Sequence, residues 1–197
     1  HYHMFDDGGV EVEVAEFLYG LVKILQPNRI LETGTYTGIS SLYMAQALKD
    51  NNRGLVTTLE IENTHKLRAE KLWQACEVSE YVECKLLPSL DFGTPQNPMG
   101  SYDFLFLDSE PQIRFAELVR FFPYLRKGGY IGIHDLPNTL CQGNFNPDHP
   151  EMESYPYGPI PQEMMQWLKE DKLRIIHFPS PRGLTFFYKT TEGDYRV

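Results

Sequence analysis

The sequence of 197 residues is 42% hydrophobic, which suits one compact domain spanning residues 1–197 with a single large core. Its formal net charge of −9 repels phosphate backbones, and no dense Lys/Arg run reverses that field, so nucleic acid is not an expected partner. No stretch approaches the roughly 20 consecutive apolar residues of a membrane span, so a membrane is not an expected partner either.

The three cysteines, Cys76, Cys84 and Cys141, are an odd number and lack the CxxC spacing of a zinc knuckle. We therefore expect neither a disulfide framework nor a zinc site. The start of the chain shows no basic-then-apolar signal-peptide pattern. These observations favour a soluble protein in the reducing cytoplasm.

The first half of the chain indicates alternating helices and strands. Residues 11–26 carry apolar side chains at three- and four-residue intervals, which predicts an amphipathic leading helix ended by Pro27. Short β-rich runs then alternate with longer helical ones, as in parallel βαβ units. The predicted elements are a strand at 29–32, a helix at 40–49, a strand at 55–59, a helix at 64–76 and a strand at 81–86.

The alternation continues with a strand at 102–107, a helix at 112–125 and a strand at 130–134, with Lys127-Gly128-Gly129 predicted as the helix stop. Residues 162–197 are predicted to add a helix at 162–170 and two strands at 173–178 and 184–188. A turn-rich joint separates these two strands, which predicts an antiparallel hairpin. We expect an α/β fold with a doubly wound, Rossmann-like, mostly parallel seven-stranded sheet and a C-terminal antiparallel hairpin.

Residues 136–161 interrupt this rhythm with six prolines and two glycines. The segment is too long for an ordinary connection, so we interpret it as a lid or acceptor-binding loop. Four of its side chains either close over an acceptor or pack the loop down, and both interpretations stay open: Phe145, His149, Tyr155 and Tyr157.

Residues 29–40 indicate a strand, a glycine turn and a helix start, where the backbone can approach a ligand. The spacing is Glu32-x-Gly34-x-x-x-Gly38. The dinucleotide fingerprint GxGxxG would need glycine where Tyr36 or Thr37 stands, which disfavours NAD and FAD. A tight bend without a ligand is the alternative.

This segment resembles the first motif of class I S-adenosylmethionine-dependent methyltransferases, within a resemblance that covers residues 29–135. The resemblance implies that Glu32 faces the ammonium of the cofactor. It also implies that Glu60, at the end of the second strand, accepts hydrogen bonds from the ribose hydroxyls; a helix cap or a solvated charge is the alternative. The other cofactor-binding residues expected with Glu32, Gly34, Gly38 and Glu60 are Thr35, Tyr36, Ser40, Ile61, Ser89 and Asp108.

Polar side chains also end the fourth and fifth predicted strands: Asp108 follows one strand, and His134 and Asp135 close the next. Because ligands bind at the carboxyl ends of strands in open parallel sheets, we expect these three residues to be catalytic. A histidine that merely caps its strand and bonds a carboxylate is the alternative for His134.

The Asp and His-Asp pattern resembles bacterial small-molecule O-methyltransferases related to the catechol and caffeoyl-coenzyme A enzymes. The resemblance implies Mg²⁺ or another divalent cation at Asp108, His134 and Asp135, with Glu110 as a further candidate ligand. Leu136 stands where the catechol-type pattern has Asn, so a metal-free site stays open, with His134 as general base. The resemblance also implies a small-molecule acceptor. Because many such relatives are dimers, it implies a possible homodimer as well.

The predicted function is therefore S-adenosylmethionine-dependent O-methylation of a small-molecule hydroxyl, with metal assistance left open. Two alternatives remain at this point. One is an NAD- or nucleotide-sugar-dependent Rossmann enzyme, which shares the architecture. The other is a catalytically inactive protein that retains the cofactor pocket.

Overall fold

The computed structural model describes residues 9–93, 100–136, 161–178 and 183–191. The chain comprises two compact units, His1–Pro98 and Met99–Val197. The predicted lid at 136–161, with Phe145, His149, Tyr155 and Tyr157, lies outside the described residues except at its two ends. The single domain expected over residues 1–197 stays a prediction.

The first unit contains three helices and three strands among its described residues. They are α1 (Val12–Leu25), β1 (Arg29–Thr33), α2 (Ile39–Asn51), β2 (Leu55–Glu60), α3 (Asn63–Ala75) and β3 (Val82–Leu86). β1 pairs with β2 and β2 with β3, both in parallel. This confirms the predicted βαβ alternation, with boundaries within two residues of those expected.

The leading helix illustrates how sequence and packing agree in this unit. α1 buries Val14, Leu18 and Val22 at four-residue spacing and packs against α2. Gln26 adopts a left-handed conformation, φ 48°, at the end of the helix, and its N–H donates to the carbonyl of Val22. Pro27 then prevents continuation, as predicted.

The second unit contains two helices and four strands among its described residues. They are β4 (Tyr102–Leu107), α4 (Arg114–Phe121), β5 (Leu125–His134), α5 (Gln162–Lys169), β6 (Leu173–Phe178) and β7 (Leu184–Lys189). β4 pairs with β5 in parallel, and β7 pairs antiparallel with both β5 and β6. The predicted C-terminal hairpin is therefore confirmed.

The helix predicted at 112–125 is wrong in its extent. Single turns of 3₁₀ helix at Pro111–Ile113 and Phe122–Tyr124 flank the shorter α4. Pro123 explains the early end, because it has no N–H with which to continue the hydrogen bonds of the α-helix. Lys127-Gly128-Gly129, predicted as the helix stop, instead lies within β5, where the register with β4 shifts and Gly128 has φ 78°.

A lysine is buried in the second unit. Lys189 ends β7 with none of its surface exposed, and its Nζ donates to the carbonyl oxygens of Phe122 at 2.9 Å and Leu125 at 2.7 Å. The same ammonium lies 4.5 Å from the centre of the Phe122 ring. This side chain therefore ties β7 to the turn that follows α4.

The seven strands form one sheet in the order β3-β2-β1-β4-β5-β7-β6. β7 runs antiparallel to both β5 and β6, whereas the pairs β1–β2, β2–β3 and β4–β5 are parallel, which confirms the predicted Rossmann-like α/β class with a mostly parallel sheet. Within the described ranges, every helix is too short or too polar to traverse a bilayer.

Candidate active site

The glycine turn between β1 and α2 is built from three left-handed residues. Gly34, Tyr36 and Gly38 have φ values of 83°, 46° and 80°. The N–H of Gly34 donates to the carbonyl of Leu59 at 3.0 Å, and the N–H of Gly38 donates to the carbonyl of Thr35 at 2.8 Å. The turn therefore presents backbone at the start of α2, where the first N–H groups of a helix have no partner within it.

Glu60 holds this turn to the end of β2. Its Oε2 accepts the N–H of Tyr36 at 2.8 Å, and its Oε1 accepts the N–H groups of Ile61 and Glu62 at 2.8 and 2.9 Å. The residue is 6% exposed. A carboxylate accepts about four hydrogen bonds, so Oε2 keeps capacity for a hydroxyl donor of a ligand. The His65 ring lies edge-on to the Tyr36 ring, with centroids 4.9 Å apart.

Glu32, at the end of β1, is fully buried beneath the turn. The hydroxyl of Ser40, in the first turn of α2, donates to its Oε1 at 2.5 Å. Burying a carboxylate is expensive unless it is hydrogen-bonded or paired with a cation. The structure thus brings the predicted residues Glu32, Ser40, Gly34, Tyr36, Gly38 and Glu60 together around one turn.

Gly38 is required for space as well as for conformation. A Cβ at this position would lie 2.6 Å from the Cβ of Ala69 and 2.9 Å from Nε1 of Trp73. The same Nε1 donates to the carbonyl of Gly38 at 3.0 Å. The start of α2 is therefore packed directly on α3, which fixes the position of the turn.

The side chain of Thr35 points into the sheet. Its hydroxyl lies 2.7 Å from the hydroxyl of Thr58 and 3.7 Å from the sulfur of Cys84. Only the backbone of Thr35 is then left for a cofactor. Burial raises the pKa of the Cys84 thiol to about 11, although the Thr35 hydrogen bond and the charge of Lys66 partly oppose the shift. This thiol is therefore protonated at neutral pH.

Two further predicted cofactor residues, Ile61 and Ser89, follow β2 and β3, and the last, Asp108, follows β4. Ile61 follows Glu60 and is 61% exposed, an apolar side chain suited to the face of a flat ring. Ser89 is 7% exposed and begins a single 3₁₀ turn, Ser89–Asp91, after β3. Its carbonyl accepts the N–H of Phe92 at 3.1 Å, so the residue also has a structural role.

The predicted catalytic residues meet in the second unit. One ligand atom from each of Asp108, His134 and Asp135 lies within 4.8 Å of the other two. His134 is fully buried, and its Nδ1 is 3.1 Å from Oδ1 of Asp108 and 3.5 Å from Oδ1 of Asp135. Asp135 has a left-handed backbone, φ 57°, just after β5. The paired carboxyl ends of β4 and β5 therefore bring these three residues into one cluster.

Sequence reasoning missed the cation of this cluster, Arg114, which begins α4 and is 3% exposed. Its Nη2 lies 3.1 Å from Oδ1 of Asp108 and 3.4 Å from Oδ2 of Asp135. Its Nε donates to the carbonyl of Ser109 at 2.7 Å, and its Nη1 donates to the carbonyl of His134. The sequence does contain a signal for this residue. Arg114 lies on one face of α4 with Leu118 and Phe121, and the two apolar side chains mark that face as buried.

Glu117 extends the network and was also missed. It is fully buried in α4, and its Oε2 accepts the hydroxyl of Ser109 at 2.7 Å. Glu110, the further ligand candidate, lies at the start of the 3₁₀ turn before α4, where its carbonyl accepts the N–H of Ile113 at 3.1 Å.

Arg114 competes with a hard divalent ion for the two carboxylates of this cluster. A divalent ion bound by these carboxylates would also lie close to the permanent positive charge of the guanidinium, which would repel it. The carboxylates of Asp108 and Asp135, whose negative charges would attract the ion, already form ion pairs with Arg114. His134 adds a neutral nitrogen donor, but hard ions such as Mg²⁺ prefer oxygen.

The chain belongs to the O-methyltransferase family, whose model matches residues 2–190. This confirms the predicted class of protein, the class I S-adenosylmethionine-dependent O-methyltransferases.

Among curated proteins, the chain is 31% identical over 179 residues to caffeoyl-CoA O-methyltransferase 2 of Petunia hybrida, covering 86% of this chain and 72% of the relative. It is 27% identical over 130 residues to catechol O-methyltransferase domain-containing protein 1 of Mus musculus, covering 64% of this chain and 49% of the relative. The match therefore spans about half the length of the mouse protein, and likewise 55% of two Dictyostelium discoideum relatives.

Solved structures support the fold. The O-methyltransferase TomG of Streptomyces achromogenes, in complex with SAM, aligns with a TM-score of 0.69 at 22% identity over 94% of this chain and 83% of that one. The O-methyltransferase of Bacillus cereus, in complex with SAH, aligns with a TM-score of 0.68 at 21% identity over 93% of this chain and 84% of that one. At this identity the likeness concerns the fold.

Proposed function

We propose that this chain binds S-adenosylmethionine and transfers its methyl group to a hydroxyl of a small molecule. The observation that carries the proposal is the pair of acids, Glu32 and Glu60, that flank one glycine turn at the ends of β1 and β2. Family membership supports it, as do the SAM and SAH complexes of the two O-methyltransferase structures described above.

The residues around the turn fit this cofactor. Glu32 offers a buried carboxylate to the ammonium, and Glu60 offers Oε2 to a ribose hydroxyl. The exposed face of Ile61 suits the purine, and Ser89 borders the same edge after β3. When bound, the cofactor supplies an electrophilic methyl group, so the protein mainly aligns the acceptor and removes its proton.

Asp108 and His134 are the proposed proton-accepting pair. An ionised Asp108, which Arg114 favours, can only accept hydrogen bonds, so the 3.1 Å contact requires the hydrogen on Nδ1 of His134. In neutral His134 the unprotonated ring nitrogen is then Nε2, and because the ring is fully buried we propose that the hydroxyl proton reaches it through one water. Two carboxylates and one guanidinium leave the cluster one net negative charge, which favours the resulting imidazolium.

The divalent cation stays a prediction. Three potential ligand atoms within 4.8 Å support it, while the pairing of both carboxylates with Arg114 opposes it. A small-molecule acceptor is supported by the relatives named above. The cytoplasmic location, the homodimer and the absence of nucleic-acid partners stay predictions.

Calorimetry with S-adenosylhomocysteine tests the cofactor site. Glu60→Gln removes a charged acceptor worth about 1.5–3 kcal/mol, so we expect affinity to fall roughly 10- to 100-fold. Glu62→Gln, two residues along, is the matched control and should bind as the wild type does. Circular dichroism verifies folding. Equal affinity in both variants, or binding of NAD in place of S-adenosylhomocysteine, would refute the assignment and favour the dinucleotide alternative.

Transfer itself is tested with radiolabelled S-adenosylmethionine and a panel of phenols, caffeoyl thioesters and sugars. We expect a labelled product with at least one hydroxyl acceptor and at least a hundredfold loss of rate in His134→Asn. Cofactor binding without transfer to any acceptor would favour the inactive binding protein.

A further inference from the structure

We propose that the guanidinium of Arg114 takes the place of the divalent cation in the Asp108, His134 and Asp135 cluster, so that this site works without a metal ion. The inference rests on the proposed methyl transfer for its role in the reaction. Its support is the set of contacts that Arg114 makes.

The guanidinium bonds the same carboxylates that would ligate an ion. Nη2 reaches Oδ1 of Asp108 at 3.1 Å and Oδ2 of Asp135 at 3.4 Å, and Nη1 reaches the same Asp135 oxygen at 3.4 Å. A single cation therefore bridges the ends of β4 and β5, as a metal ion bound by both carboxylates would do.

The other side of Arg114 is fixed by backbone. Its Nε donates to the carbonyl of Ser109, and its Nη1 donates to the carbonyl of His134. The side chain is 3% exposed, so moving it aside for an ion would leave buried carbonyls and N–H groups without partners. Arg114 is therefore a fixed part of the cluster.

The replacement changes the chemistry of the site. A guanidinium carries a permanent charge but has no open coordination position, so it cannot bind an acceptor oxygen as a Lewis acid. Removal of the acceptor proton then depends on His134. An acceptor also needs no second hydroxyl for chelation, so simple phenols should react about as well as catechols. Arg114 acts through the carboxylates and is a positioning residue.

Titration with Mn²⁺, followed by electron paramagnetic resonance, tests the proposal without acceptor or cofactor. We expect no specific Mn²⁺ site in the wild type at about 1 mM, because Arg114 already pairs with both carboxylates that would ligate the ion and adds a repelling charge beside them. Arg114→Met should create a site that binds at least tenfold more tightly and is lost when Asp108→Asn is added. The matched control is Arg126→Met, which removes a surface arginine 2.7 Å from Asp103 and should behave as the wild type.

Each outcome decides the proposal. A stoichiometric wild-type Mn²⁺ site that Asp135→Asn abolishes would overturn it, as would a folded Arg114→Met variant that gains no site. If Arg114→Met does not fold, the wild-type titration and Arg114→Lys, which retains the charge and should still exclude Mn²⁺, provide the decision. Absence of S-adenosylhomocysteine binding would refute the proposed function but not this inference, since the Mn²⁺ measurement uses neither cofactor nor acceptor.

Discussion

The substitution Gly38→Ala probes the packing that positions the cofactor turn. The residue has φ 80°, which costs a residue with a Cβ about 1–2 kcal/mol. The new methyl would lie 2.6 Å from the Cβ of Ala69 and 2.9 Å from Nε1 of Trp73, and overpacking of this kind costs about 1–3 kcal/mol. We therefore expect the free energy of unfolding to fall by about 2–5 kcal/mol.

A second glycine separates the two contributions. Gly128 has nearly the same φ, 78°, but a Cβ there would meet only the hydroxyl of Tyr188, at 3.9 Å. Gly128→Ala should therefore lose only the backbone contribution of about 1–2 kcal/mol. Urea denaturation followed by circular dichroism gives both values, and calorimetry should show weaker S-adenosylhomocysteine binding for Gly38→Ala alone. If the two variants unfold at the same urea concentration, the packing of Gly38 on α3 is not what constrains the turn.

Two further predictions concern buried polar groups. Lys189→Met keeps the length of the side chain but deprives two buried carbonyls of their donor, so we expect the free energy of unfolding to fall by about 2–4 kcal/mol in urea denaturation. Lys172→Met, which removes an ammonium from a side chain 39% exposed, is the comparison, and a loss no larger in Lys189→Met would contradict the buried role. With its pKa raised to about 11, Cys84 has about one thiolate in a thousand at pH 8. Iodoacetamide should therefore modify exposed Cys76 at least tenfold faster, as measured by peptide mass spectrometry, and comparable rates would show that Cys84 is not shielded.

Much of the fold follows from local patterns in the sequence. Alternation of short apolar runs with helical periodicity predicts parallel units, and β1 to β4 appear within a residue of the expected bounds. The site residues Glu32, Glu60 and Asp108 are predictable for a related reason, since each is the polar residue at or just after the end of a buried strand. The carboxyl ends of parallel strands are where such side chains meet a ligand.

The errors occur where packing between elements overrides the local signal. Gly128-Gly129 has the composition of a helix end, yet α4 stops earlier, before Pro123. The two glycines lie where the register between β4 and β5 shifts. This shift depends on the partner strand, which no local sequence pattern reveals. Thr35 is a similar case, because its hydroxyl bonds Thr58 on the neighbouring strand.

Arg114 shows how such a residue could be found from sequence after all. An arginine on the apolar stripe of a helix is usually assigned to the surface, since its long stem lets the charge reach water. Asp108 and Asp135, however, end two adjacent strands, and two carboxylates brought together there repel unless a cation joins them. The chain offers that cation six residues after Asp108, at the first residue of α4 and on its buried face. An unbalanced pair of acids at strand ends should therefore prompt a search for arginine in the next helix before a metal ion is assumed.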